Sequence, residues 1–162
     1  MTPKSAVISI TLAFVTFGAN CAVAECLPAG NTGLTTERIV TSNGQLTRTK
    51  VDATGCDIGV YIGPGTERVL ISGVTVTGAN EHGILVQDAS RITIQYSVVT
   101  GNGVASHTCP AEGPPPTGCI AENKGIELVG TSDSVVTHNL VSQNRADAVS
   151  YTHLTLPMIC SV

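Results

Sequence analysis

The sequence predicts an all-β solenoid, a chain wound into repeated short strands. Three observations support this fold class. First, 52 of the 162 residues are Thr, Val or Ile, whose branched side chains favour strands. Second, 17 glycines and an aromatic content of 3 % indicate frequent turns around a core of small aliphatic side chains. Third, apolar positions recur at a constant spacing along the chain, which is typical of a repeat protein.

The segment 1–24 has the three-part layout of a secretory signal peptide. Lys4 precedes an apolar run over residues 6–17, and a small-x-small cleavage site ends at Ala24. A membrane span is the alternative, but it needs roughly 20 apolar residues and this run is shorter. We therefore expect residues 1–24 to be removed and the protein to be secreted or periplasmic, with no membrane span after cleavage.

The repeat is marked by Gly59 and Gly83, which lie one repeat apart, and by Gly125, which follows after one more repeat and an insertion. In this register three apolar and two polar columns coincide. The apolar columns are Val60, Ile84 and Ile126; Ile62, Val86 and Leu128; and Val74, Val98 and Leu140. The polar columns are Gly73, Ser97 and Asn139, and Gly78, Asn102 and Asn144.

A unit of this length cannot bury a core alone, but copies stacked about 4.8 Å apart can hydrogen-bond each strand to its equivalents above and below. We expect the column of Val60 to lie inside and Asn102 to lie over Asn144 at a turn, where stacked amides can bond to each other. A β-sandwich is the alternative fold for strands of this length. It does not predict a register that survives an insertion.

Three stretches carry a family resemblance: GVYIGPG at 59–65, VLISGVTVTG at 69–78 and SRITIQYSVVTGN at 90–102. The region 56–144 resembles the right-handed parallel β-helix of the pectin-lyase-like superfamily, in its secreted bacterial form. The resemblance implies about three coils over residues 56–148, preceded by a strand-rich capping segment over residues 25–55.

Four cysteines remain after the signal peptide and the extreme C-terminus are set aside. An exported protein meets an oxidising compartment, and four cysteines allow three disulfide connectivities. We prefer Cys26 with Cys56 and Cys109 with Cys119, because the latter two bracket a Pro-rich run in the insertion near residues 103–122. A metal site is the alternative, but neither a Cys-x-x-Cys motif nor a histidine at ligand spacing accompanies the cysteines.

Residues 149–162 do not continue the repeat. The segment 149–157, VSYTHLTLP, matches the in-frame translation of GTC TCT TAT ACA CAT CTG ACG CTG CCG, the end of a transposon-based sequencing adapter. The two adapter bases before it, CT, would complete an alanine codon for Ala148. We therefore predict a non-native tail from Val149, which leaves residues 25–148 as an N-terminal piece of a longer protein. A native apolar strand is the alternative, and the source DNA distinguishes the two.

The resemblance implies enzymes that cleave acidic polysaccharides, but the residues do not support catalysis in this part of the chain. The polygalacturonase-type signatures, Asn-Thr-Asp, an Asp-Asp pair, Gly-His-Gly and Arg-Ile-Lys, are missing. His107 and His138 are predicted to be turn residues, and Arg68 and Arg91 to flank strands and keep the outer face soluble. Glu127 is predicted to point outward.

One polar column offers a candidate metal site. Asp57, Glu81 and Asn123 each lie two residues before a repeat glycine. Stacked carboxylates about 5 Å apart could share a hard cation, so Asp57 and Glu81 are a candidate Ca²⁺ site, and no other cofactor is predicted. The favoured interpretation is that this column, with His82 and Lys124 beside it, consists of solvated corner residues in which Lys124 balances Glu81.

The leading functional prediction is a secreted, non-catalytic β-helix module that is structural or binds carbohydrate, with polysaccharide as its partner. Only Tyr61 and Tyr96 are available as aromatic platforms in the repeat. The alternative is an N-terminal fragment of a polysaccharide lyase or glycoside hydrolase whose catalytic coils lie downstream. A net charge of -4 with only 8 Lys and Arg residues argues against a nucleic-acid partner.

Overall fold

The computed structural model describes residues 25–104, 123–145 and 147–152, and the backbone of residues 159–161. Within these ranges the chain forms strands, turns and bends, with no helix. The strands lie in three sheets, and apart from β1 each strand pairs in parallel with its equivalent one winding of the chain earlier or later. The described residues therefore form a β-solenoid of four complete turns with the start of a fifth.

The six-stranded sheet contains the first strand of every turn. Its spatial order is β1 (Leu27–Pro28), β2 (Thr35–Ile39), β5 (Ile58–Ile62), β8 (His82–Gln87), β11 (Ile126–Val129) and β14 (Val149–Thr152). β1 is antiparallel to β2, and the other pairs are parallel.

The other two sheets contain the second and third strands of each turn. The five-stranded sheet consists of β3 (Gln45–Thr47), β6 (Glu67–Ser72), β9 (Ser90–Gln95), β12 (Val135–Thr137) and β15 (Ile159–Ser161). The four-stranded sheet consists of β4 (Lys50–Asp52), β7 (Thr75–Thr77), β10 (Val98–Thr100) and β13 (Leu140–Ser142).

The predicted all-β parallel solenoid is confirmed, and the predicted number of about three coils is one too few. The difference arises in residues 25–55, predicted as a capping segment. β2, β3 and β4 of this segment pair in parallel with β5, β6 and β7, and so form the first turn. The residues of this first turn match the repeat pattern only weakly, so the sequence did not identify it as a turn.

The inside of the solenoid is filled by ladders of aliphatic side chains. Val60, Ile84 and Ile126 are paired neighbours in the six-stranded sheet, and none of the three is exposed to solvent. The predicted stack of Ile62, Val86 and Leu128 is also confirmed. The ladders contributed by the other sheets are Val69 with Ile92, Ile71 with Ile94, and Val51 with Val76 and Val99. Each such side chain contributes roughly 1.5–3 kcal/mol by leaving water.

The predicted column of Val74, Val98 and Leu140 is wrong by one residue at its first member. Val98 pairs with Leu140 as predicted, but its neighbour in the second turn is Thr75. The spacing between the second and third turns is therefore one residue shorter in the five- and four-stranded sheets than in the six-stranded sheet. The corner at residues 63–66 has one residue more than the equivalent corner at residues 87–89, and this extra residue shifts the register.

The corners of the solenoid are turned by residues in the left-handed region of φ, and these residues are in register between turns. One column contains Arg48, Gly73, Tyr96 and His138, with φ angles of 49°, 65°, 51° and 53°. The other columns are Asn43, Arg68, Arg91 and Asp133; Gly65, Asp88 and Gly130; and Gly78, Gly101 and Gln143. A non-glycine residue at such a position costs about 1–2 kcal/mol, which the surrounding ladders must offset.

Side-chain amides bond one corner to the next. Asn102 Nδ2 donates to Asn144 Oδ1 at 3.0 Å, and Asn102 Oδ1 accepts from the backbone N of Ala79 at 3.1 Å. Asn139 Oδ1 accepts from the backbone N of Ser97 at 2.9 Å. The predicted ladder of Asn102 over Asn144 is confirmed, and so is the equivalence of Ser97 and Asn139. These amides satisfy backbone groups that the corners remove from the sheets.

Gly83 is expected to tolerate a side chain poorly. A Cβ built there would lie 2.4 Å from Val99 Cγ1 and 2.6 Å from the carbonyl O of Gly125. Since a backbone oxygen of the next turn cannot move away, we expect Gly83→Ala to lower the free energy of unfolding by about 3 kcal/mol, measured by urea denaturation.

Gly101→Ala is the matched control. A Cβ at Gly101 meets nothing within 4 Å, so only its left-handed φ of 66° opposes the substitution. We expect a loss of about 1 kcal/mol for this variant. Equal losses for the two variants would contradict the close approach of turns at Gly83.

Candidate functional site

A disulfide fastens the N-terminal segment to the second turn. Cys26 is bonded to Cys56, with their Cα atoms 5.6 Å apart, which confirms the predicted pair. In the chain-entropy model a bridge closing a loop of this length contributes about 3–4 kcal/mol. The predicted pair of Cys109 and Cys119 lies outside the described residues, as do His107 and residues 105–122 of the insertion.

The segment after Cys26 lies over the outer face of the six-stranded sheet. Ala29 packs with the outward-facing side chains of Ile58, Tyr61 and Leu85, and Leu34 packs against the same cluster. The Tyr61 hydroxyl donates to Gln87 Oε1 at 3.0 Å. Burial and the nearby Asp88 carboxylate raise the pKa of Tyr61. The outer face of this sheet is therefore apolar in the second turn and covered by the chain itself.

The predicted metal-binding column is in register, and its two acids have different surroundings. Asp57 Oδ2 accepts hydrogen bonds from the backbone N and the Oγ1 of Thr35, both at 2.8 Å, and so links the first turn to the second. Glu81 occupies the equivalent position one turn further on and is only 5 % exposed. Among the described residues no group of three or more His, Cys, Asp or Glu side chains is arranged to hold a metal ion. Calcium binding by Asp57 and Glu81 stays a prediction.

Buried charges continue this face in the third and fourth turns. The register of strand pairing places His82 and Lys124 in the column of Ile58, and Glu127 in the column of Tyr61. Lys124 Nζ lies 3.6 Å from Glu127 Oε1, and His82 Nδ1 lies 3.4 Å from Glu127 Oε2. Lys124 Nζ also donates to Ser150 Oγ at 2.9 Å. Ser150 belongs to β14, which pairs in register with β11, so the expectation that residues from Val149 do not continue the repeat is wrong for this strand.

The expectation that these are solvated corner residues is wrong. Glu81, His82 and Lys124 are 5 %, 1 % and 3 % exposed. The repeat predicted which residues share a column, but it could not show that this outer face is covered. Burial lowers the pKa of His82 to about 4, and the Lys124 ammonium contributes to the lowering. His82 is therefore uncharged at neutral pH, and Glu127 has Lys124 as its charged neighbour.

An open notch lies at the corner between the five- and four-stranded sheets, and we call it the Gly73 notch. Its floor is Gly73, its side walls are Arg48 of the first turn and Tyr96 of the third, and its volume is about 420 Å³. The remaining lining residues are Thr47, Leu70 and Ser72. Since Gly73 has no side chain, the ring of Tyr96 and the side chain of Arg48 face each other across a gap of one turn.

Tyr96 is the most exposed aromatic side chain in the described part of the solenoid, at 61 %. Its ring centroid lies 5.2 Å from that of His138, which occupies the same column one turn further on. His138 is exposed and lies at a turn, as predicted. The sequence alignment used one constant spacing and so placed Gly73 with Ser97 instead of Tyr96. A spacing shorter by one residue would have placed Gly73 with Tyr96.

The outer face beside the notch is polar and carries arginines. Arg68 and Arg91 are exposed, as predicted, but each is the second residue of a strand, β6 and β9, and does not flank it. Arg91 Nη2 lies 3.5 Å from Glu67 Oε2 at the surface. Such an exposed pair contributes little to stability.

A family model described as "Right handed beta helix region" matches residues 11–154 of the chain. The match agrees with the right-handed winding that parallel strands joined by crossovers adopt. Neither a curated protein nor a solved structure matches the chain. Among the described residues there is no helix of the length and apolar character that a bilayer crossing requires.

The buried His82 predicts a pH dependence of stability. Because its pKa in the folded protein lies below the ordinary value of 6.5, the unfolded chain takes up the proton first as the pH falls. Above pH 6.5 the neutral imidazole makes its full contribution to the free energy of unfolding, about 3 kcal/mol. This contribution is lost as the pH falls from 6.5 to about 4. We expect His82→Gln to lose this part of the pH dependence, measured by urea unfolding at a series of pH values.

His138→Gln serves as the control, since it removes an exposed histidine from a corner of the same solenoid. Its unfolding free energy should follow that of the unsubstituted chain between pH 4 and pH 6.5. An unchanged pH profile in His82→Gln would show that His82 is not buried as described.

Proposed function

Because the chain belongs to the right-handed β-helix family, we propose that it is a secreted or periplasmic β-helix module that binds carbohydrate at the Gly73 notch. The observation that carries the proposal is Tyr96, a bulky side chain at a left-handed corner where the preceding turn has glycine. Its exposed ring offers the flat apolar surface on which a sugar ring can stack.

The walls of the notch supply polar groups beside the ring. Thr47 and Ser72 contribute hydroxyl groups that can both donate and accept hydrogen bonds, as sugar hydroxyls require. Arg48 contributes a guanidinium group with several donors on the side opposite Tyr96. A ligand ring in the notch would thus contact an apolar face and meet hydrogen-bonding groups at its edge, the combination expected of a specific site.

The proposed location outside the cytoplasm is supported by two features. The bridge between Cys26 and Cys56 is of a kind that persists in oxidising compartments. The sequence before Glu25 has the layout of a secretory signal. An N-terminal fragment of a polysaccharide lyase or glycoside hydrolase remains the alternative function, and further turns carrying clustered Asp with Arg or Lys would favour it.

The proposal is tested by replacing Tyr96. We expect Tyr96→Gly to weaken binding to a panel of immobilised neutral and acidic polysaccharides by at least about tenfold, or 1.4 kcal/mol, because the stacking surface is lost. The same variant should be as stable as the unsubstituted chain or up to about 1 kcal/mol more stable, since glycine adopts a φ of 51° without strain.

Two further variants separate stacking from general surface effects. Tyr96→Phe keeps the ring and should retain binding, whereas Leu140→Ala removes another exposed apolar side chain, 59 % exposed, and should leave binding unchanged. Binding that survives in Tyr96→Gly, or no binding to any polysaccharide by the unsubstituted chain, would contradict the proposed function.

A further inference from the structure

The outer face of the four-stranded sheet is uncharged over three consecutive turns. Its outward side chains alternate with the buried valines of each strand and form two columns. The columns are Lys50, Thr75, Val98 and Leu140, and Asp52, Thr77, Thr100 and Ser142. The outer faces of the other two sheets carry charged side chains in their middle turns, so this face is distinct within the solenoid.

The charges of this face are confined to the first turn. Lys50 and Asp52 are both exposed and lie two residues apart on the same side of β4. The Asp52 carboxylate is held in place by Thr54, whose Oγ1 donates to Asp52 Oδ1 at 2.7 Å. The face therefore has one positive and one negative group at the same height along the solenoid, followed by hydroxyl and methyl groups only.

We propose that two copies of the chain associate through this face about a two-fold axis parallel to the solenoid axis. Such an axis keeps each turn at its own height and reverses the strand direction. The first outward residue of a strand therefore faces the second outward residue of the same strand in the other copy. Lys50 then faces Asp52 of the second copy, and Asp52 faces its Lys50. In the following turns the facing pairs are Thr75 with Thr77, Val98 with Thr100, and Leu140 with Ser142.

The charge pattern selects this axis over the other face-to-face arrangement. A two-fold axis along the strands would invert the order of the turns in the second copy. It would place Lys50 against Leu140 and Asp52 against Ser142, so neither charge would meet an opposite charge of the second copy. With the parallel axis both charges are paired, and the exposed side chain of Leu140 is covered by the second copy.

The size of the face determines the strength of the association. Three-residue strands span about 10 Å and four turns about 19 Å, so each copy contributes a flat area of about 200 Å². A stable interface buries about 800 Å² on each partner. The association is therefore weak and depends on concentration, and it leaves the Gly73 notch at the neighbouring corner as a separate site.

Sedimentation equilibrium of the chain over a micromolar to millimolar series tests the proposal. Lys50→Asp replaces both ion pairs with facing carboxylates, and we expect the dissociation constant to rise at least about tenfold. The double variant with Lys50→Asp and Asp52→Lys restores pairs of opposite charge and should recover the dimer.

Arg68→Asp makes the same change in net charge on the five-stranded sheet and should dimerise like the unsubstituted chain. Circular dichroism establishes that each variant is folded. The proposal is overturned if the chain is monomeric at every concentration, if Lys50→Asp dimerises unchanged, or if the folded double variant fails to recover the dimer. Association through the open ends of the solenoid would persist in all variants and would therefore contradict it.

Discussion

The parallel hydrogen-bond ladder between successive turns is the constraint on which the rest of the structure depends. Each strand is fixed in register by the strands above and below, so every residue occupies a column whose neighbouring members lie about 4.8 Å apart. Inward columns must hold side chains that fill the shaft without crowding, which accounts for the predominance of Val and Ile there. At Gly59, Gly83 and Gly125 the turns approach too closely for any side chain.

This constraint explains what the sequence could and could not predict. The ladder of Val60, Ile84 and Ile126 was predictable because strict pairing keeps equivalent residues at a constant spacing within one sheet. The neighbours of Val74 and Gly73 were not, because one extra residue at the corner 63–66 shifts the two following sheets. Spacing alone does not show where in a turn an additional residue is accommodated, since loops at corners absorb it without breaking the ladder.

The candidate sites were predictable to different degrees. The sequence left three connectivities open, and the preferred pairing of Cys26 with Cys56 is the one the structure contains. The burial of Lys124 was not predictable, because the repeat assigns a residue to a column but does not reveal what covers the outer face of that column. The three flanks of the solenoid consequently differ: one is covered, one presents Tyr96 with arginines, and one is a flat band of hydroxyl and methyl groups. A single backbone geometry thus supports three separate surface chemistries.

The bridge between Cys26 and Cys56 also has a mechanical consequence. Tension applied at the N-terminus passes through the bridge to the corner before β5, because Cys56 lies beyond the last strand of the first turn. The strands β2, β3 and β4 lie within the closed loop and carry no load. A pull from this end would therefore load the second turn first, whereas without the bridge the same pull would begin by peeling away the first turn.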